Sequence, residues 1–232
     1  VTNISKGLGV TETQATRIRN EFTSISANTM DTAINSERIL TAQSELNKEL
    51  SLGVQFSGDT LVNFVRLSEK IGLSAQQAAK LTLASASTGE SATEFAGKSA
   101  LAAAEQAKTL GITVNMKEIM ADTADLTNEQ LILFGRQPEA IGKTLAEVKK
   151  LGIELGDLNA ISNKLLDFQG SIESELQAEL LTGKQLNLER ARAAALAGDQ
   201  ATLAKEIASQ VGTISEFESM NVLQRQKLAE AL

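Results

Sequence analysis

The stretch Thr182-Gly183-Lys184-Gln185 carries the Gly-Lys pair with which many nucleotide-binding loops end. A phosphate loop needs more than that pair. Backbone amides of a glycine-rich turn must wrap the phosphates, a hydroxyl must follow the Lys, and a strand must lead in, as in G-x-x-x-x-G-K-[ST]. Here the first Gly position is Ala178, the residue after Lys184 is Gln185, and the lead-in from Glu173 to Leu181 has helical character. The pair therefore reads as a helix corner, and no cofactor is expected.

Metal and catalytic chemistry have few parts to work with. The chain contains no His, Cys, Trp or Tyr. Carboxylates alone would suit calcium or magnesium. Asp122 with Asp125, and Glu173 with Glu175 and Glu179, are the clusters present, but no D-x-[DN]-x-[DN]-G loop exists. They read as solvated helix faces. Without His, Cys or Tyr the commonest general bases and several nucleophiles are missing. Glu173 with Glu179 is the remaining carboxylate pair to consider, and nothing separates it from surface charge. No catalytic, metal or cofactor residue is assigned, and a non-enzyme is expected.

Composition points the same way. Ala, Leu, Glu, Gln and Lys dominate, all residues that lose little entropy in a helix. Pro occurs once, at Pro138, and Phe is the only aromatic type. The expected fold is all-α: a multi-helical array of short amphipathic helices and helical hairpins, without a sheet. The net charge of −7 and pI near 4.9 disfavour nucleic acid, because phosphate contacts need clustered Lys and Arg. No apolar run reaches the length of a membrane span; the longest aliphatic cluster is Leu131-Ile132-Leu133-Phe134. The start at Val1 and the helical ending "KLAEAL" suggest an excerpt of a longer polypeptide.

The elements are marked by stop and start signals. An apolar-Gly-apolar triplet closes successive amphipathic stretches at Gly9, Gly53, Gly72, Gly111 and Gly152. Gly in that position takes the left-handed conformation past a helix end. Lys6, Lys70, Lys108, Lys149 and Lys150 sit in the last turns, where they offset the helix dipole. Capping boxes begin at Thr11, Ser74 and Thr127.

Apolar stripes at helical spacing run through Ala15-Ile18-Phe22-Ile25, Ile39-Ala42-Leu46-Leu50 and Ile141-Leu145-Val148. Another runs through Leu158-Ile161-Leu165-Phe168-Ile172, with a bend at Gly170, and Leu203-Ile207-Val211 carries a short helix. Pro138 suits a first helical turn. Roughly ten helices of one to four turns are expected. Gly72, Gly111 and Gly152 recur about forty residues apart, the size of a helix-pair repeat. The softest stretch, 85–91, divides the chain into helical regions 1–84 and 85–232.

Asn187 to Asp199 reads as an Ala-rich helix capped by Asn187 and stopped by Gly198, with Asp199 as the next cap. Arg190 and Arg192 are placed to pair with Glu residues of the preceding helix or with another protein. Leu180, Lys184, Gln185, Leu188, Arg190 and Arg192 are the candidate partner-interface residues.

The stretch "LLDFQGSIESELQAELLTGKQLNLERARAAALAGDQATLAKEIASQVG", Leu165 to Gly212, resembles a segment of the tail tape-measure or large virion structural proteins of tailed bacteriophages. "FESMNVLQRQKLAEAL", "LTAQSELNKELSLGVQFSGDTLVNFVRLSEKIGLSAQQAAKL" and "VKKLGIELGDLNAISNKLLDF" fit the same pattern. The resemblance implies a long helical protein in the virion tail, made in the bacterial host cytoplasm. Its partners would be other tail proteins (tube, baseplate or hub) and copies of itself. A ruler needs extended helix at about 1.5 Å per residue. The frequent Gly breaks suggest a folded module instead, acting in packing, baseplate attachment or ejection. A helical-repeat adaptor binding a protein or peptide is the alternative.

Overall fold

A computed structural model describes residues 11–29, 31, 34–211 and 219–231. Among these the chain forms thirteen α-helices and no strand, so the fold is all-α as expected. The helices outnumber the expected ten, and the longest runs for 19 residues, beyond the expected four turns. Contacts divide the chain into two compact units, Val1–Ala100 with Asn115–Asn128, and Leu101–Val114 with Glu129–Leu232. The stretch 85–91 is a turn within the first unit.

The first unit contains α1 (Glu12–Asn28), α2 (Ser36–Glu49), α3 (Gly58–Val65), α4 (Ala75–Ser85), the first half of α5 (Ala92–Leu110) and α6 (Met116–Ala124). A π-helical turn, Arg66–Lys70, prolongs α3. α1 packs on α2 and α3, α2 on α3 and α4, and α4 on α6. The expected stripes supply the core: Ala15, Ile18 and Phe22 are buried, as are Ile39, Ala42 and Leu46. Phe64, Phe95 and Ile119 complete it.

Local signals act where the sequence puts them. Thr11 and Ser74 form full capping boxes with Gln14 and Gln77. Between them the joint at 50–54 departs from the expected pattern. Ser51, at φ 53°, takes the left-handed position in place of Gly53, and the Leu52 amide closes the helix end on the Asn47 carbonyl at 2.9 Å. The expected triplet at Gly9 lies outside the described residues.

The second unit contains the rest of α5, then α7 (Asn128–Leu133, its first residue in the first unit), α8 (Pro138–Leu151) and α9 (Leu155–Leu166). α10 (Phe168–Thr182), α11 (Glu189–Ala197), α12 (Gln200–Val211) and α13 (Val222–Ala231) follow. α9 touches α8, α10, α11 and α12, α8 and α11 pack on α12, and α13 lies on α10. Ile141, Leu145 and Val148 are buried, and Pro138 opens α8 as expected. Gly111, Gly152, Gly183 and Gly198 follow their helices in the left-handed conformation, at φ 70, 70, 67 and 70°.

The fourth stripe is corrected. The chain breaks at Asp167, not at Gly170, because the Asp167 carboxylate caps the new helix by accepting the Gly170 amide at 3.3 Å. Leu158 and Leu165 stay in the core, but Phe168 and Ile172 turn outward.

Candidate interaction surface

The corner at Gly183 is built by carboxylates. α10 buries Ser171, Glu175 and Ala178 on one face. The chain leaves α10 through left-handed Gly183, and the 184–188 segment returns along the buried face. Glu179 Oε1 accepts the Leu186 amide at 2.7 Å, and Glu175 Oε1 accepts the Leu188 amide at 2.8 Å. Residues four apart on a helix share a face, and alternate residues of an extended segment point the same way. Glu175 and Glu179 thus meet two alternate amides.

Three further amides of the corner are committed to side chains. Lys184 N donates to Thr182 Oγ1, Asn187 N to Gln210 Oε1, and Glu189 N to Asn187 Oδ1. Carboxylates stand where a phosphate loop would hold its anion. The Gly183-Lys184 corner therefore works as a hinge-like joint between helices and offers a phosphate no amide cradle. Glu173, the other member of the carboxylate pair considered above, accepts a 3.5 Å bond from Gln177 on the exposed face. Six residues separate it from Glu179, about 120° around the helix, so the two diverge.

Glu175 also anchors α11. Its Oε2 lies 2.7 Å from Arg192, which donates a further bond to Ser171 Oγ at 3.0 Å. Arg192 pairs with the preceding helix, while Arg190 pairs with Glu206 of the following one at 3.1 Å. Leu188, not Asn187, is the residue preceding α11 at its N-cap. Asp199 accepts the Thr202 amide at 3.0 Å and so starts α12 as expected.

Of the six candidate interface residues, Leu188 is fully buried and Arg192 is almost so. Lys184 is half-buried with Nζ donating to the Val211 carbonyl at 3.4 Å. Leu180, Gln185 and Arg190 are exposed. The buried ones hold the chain to itself; the exposed ones face solvent.

Leu180 belongs to a larger feature that sequence patterning does not orient. Phe168, Ile172, Leu176 and Leu180, each four residues from the next, are 46, 46, 54 and 85% exposed. α10 thus buries small and polar groups and presents its large apolar ones. Val222 and Leu223 are exposed too, beside Gln224, whose Nε2 donates to the Leu181 carbonyl at the end of α10. A contiguous apolar face of this kind marks an interaction site more often than a scatter of single residues does. Its 4-residue spacing forms a ridge able to interdigitate with a like ridge at about −50°.

Among the described residues no three Asp or Glu side chains gather as a metal set, and no helix is long and apolar enough to cross a membrane. No family model, no curated protein and no solved structure matches the chain.

Proposed function

We propose that the chain is a non-enzymatic structural module of a phage tail protein of the tape-measure kind, working through helix-helix packing with copies of itself and with other tail components. The observation that carries this reading is the outward apolar ridge of α10, Phe168-Ile172-Leu176-Leu180. Burying one exposed Leu is worth about 1.5–3 kcal/mol, so a ridge of four large side chains is a substantial drive to associate. The same helix lies inside the stretch that resembles tail proteins.

The carboxylates of this region support a structural role. Glu175 and Glu179 are occupied by backbone amides, and Glu175 also by Arg192. Such bonds fix a joint between α10, the returning loop and α11. Cross-linking mass spectrometry on purified tails tests the assignment. Cross-links from Lys184 and Lys227 to a second copy or to tube subunits are expected. Tails that lack the chain altogether would overturn it.

A further inference from the structure

The outward ridge of α10 has apolar company. Leu166 and Leu181 near its two ends are exposed, as are Val222 and Leu223 at the start of α13. With the four ridge residues they make eight of the sixteen large apolar side chains exposed among the described residues, so the apolar surface is gathered around one helix pair. At roughly 100 Å² of exposed area each, the eight offer about 800 Å², which is what a specific interface takes from each partner.

A charged strip runs along one flank of the ridge. Glu173 Oε1 accepts a 3.5 Å bond from Gln177, and Gln177 Oε1 accepts one from Lys227 Nζ of α13 at 3.4 Å. Lys227 also pairs with Glu230 of its own helix. The flank is thus negative at Glu173 and, one turn further along α10, positive at Lys227.

Two facing ridges put apolar on apolar in either orientation. An antiparallel pair centred between Ile172 and Leu176 sets Phe168 against Leu180, and a parallel pair sets each residue against its own copy. Three features separate the two. Exposure rises from 46% at Phe168 to 85% at Leu180, so the antiparallel pair fits the protruding end of one ridge to the recessed end of the other. The parallel pair jams two Leu180 side chains together and leaves the Phe168 ends apart. An antiparallel two-fold pair also keeps the same flank of each helix side by side, which brings Glu173 beside Lys227 of the second copy. The helix dipoles attract across an antiparallel contact and repel across a parallel one.

Building on the self-packing proposed above, we infer that the occupant of the ridge is α10 of a second copy, running antiparallel about a two-fold axis at the Ile172–Leu176 midpoint. The same patch serves both copies, so the contact closes on itself as a dimer.

The chain has no Cys, so Gln185→Cys, at an exposed position, takes one spin label per copy. α10 ends at Thr182, about 12 Å beyond the ridge centre at 1.5 Å per residue. Labels at Gln185→Cys are therefore expected about 25 Å apart in the antiparallel dimer, against about 10–15 Å in a parallel one. Glu173→Lys makes the chain less negative, yet it should weaken the dimer about threefold by setting Lys against Lys227 of the second copy. A dimer whose labels lie 10–15 Å apart, or one that Glu173→Lys tightens or leaves unchanged, overturns the antiparallel pairing while self-packing stands. A chain that stays monomeric to submillimolar concentration overturns both and leaves the ridge to another protein.

Discussion

Glu175 and Arg192 form an ion pair of 2.7 Å across the Gly183 corner, with side chains only 12 and 11% exposed. Glu175 simultaneously accepts the Leu188 amide, so one carboxylate fixes both the returning loop and α11. Removing one charge of a buried pair leaves the other desolvated and unpaired. Arg192→Ala is therefore expected to cost about 3–5 kcal/mol in chemical denaturation. Arg190→Ala, whose guanidinium is mostly in solvent, should cost no more than about 1 kcal/mol. Equal losses from the two variants would contradict the assignment.

A second contrast concerns glycine. Gly152 ends α8 at φ +70°, and Gly97 lies within α5; neither has an atom within 4 Å of an added Cβ. The two sites differ only in backbone conformation. Gly97→Ala should stabilise by about 0.5–1 kcal/mol through helix propensity. Gly152→Ala should destabilise by about 1–2 kcal/mol, the strain of a left-handed Ala. Thermal melts of the two variants should shift in opposite directions.

The hydroxyls of Ser99 and Thr123 meet at 2.8 Å in the core between α5 and α6. Thr123 gives its proton to the Ile119 carbonyl at 2.7 Å, so Ser99 is the donor of the pair. Thr123→Val keeps the shape and leaves Ser99 unsatisfied, at an expected cost of about 1–3 kcal/mol. Ser99→Ala added to it should recover part of that loss. A double variant weaker by the full sum of the singles would refute the pairing.

Asp125 gives a pH signature. Burial raises its pKa, but hydrogen bonds from Gln77 and Lys80, with the Lys80 charge, outweigh burial and hold it below the ordinary value. A carboxyl lowered on folding contributes stability that is present above the unfolded pKa, about 3.9, and lost as pH falls through the lower folded value. Asp125→Asn should therefore lower stability at neutral pH and make the acid limb of the stability curve shallower. An unchanged acid limb would mean the interaction does not persist in solution.

Much of this architecture is legible in the sequence, because its signals are local. The capping boxes at Thr11 and Ser74, Pro138 at a helix start, and the glycines at 72, 111, 152, 183 and 198 act through residues at most a few positions away. The illegible parts depend on tertiary context. Phe168 and Ile172 continue the period of Leu158 and Leu165, yet a cap at Asp167 rotates them out of the core. Glu175 reads as a surface carboxylate until the loop folds back over it. Gln43 offered a clue, since it falls on the Ile39-Leu46 core stripe where a polar residue needs a partner; the extended 54–56 segment supplies one.

The central claim is that the α10 ridge drives self-association. Sedimentation velocity of the wild-type chain and of a Leu176→Glu/Leu180→Glu variant, across micromolar to submillimolar concentration, measures it directly. The wild type is expected to form a dimer or larger species, and the variant, helical by circular dichroism, to remain monomeric. A wild type that stays monomeric throughout the range, indistinguishable from the variant, would contradict the account and favour an adaptor that binds a peptide.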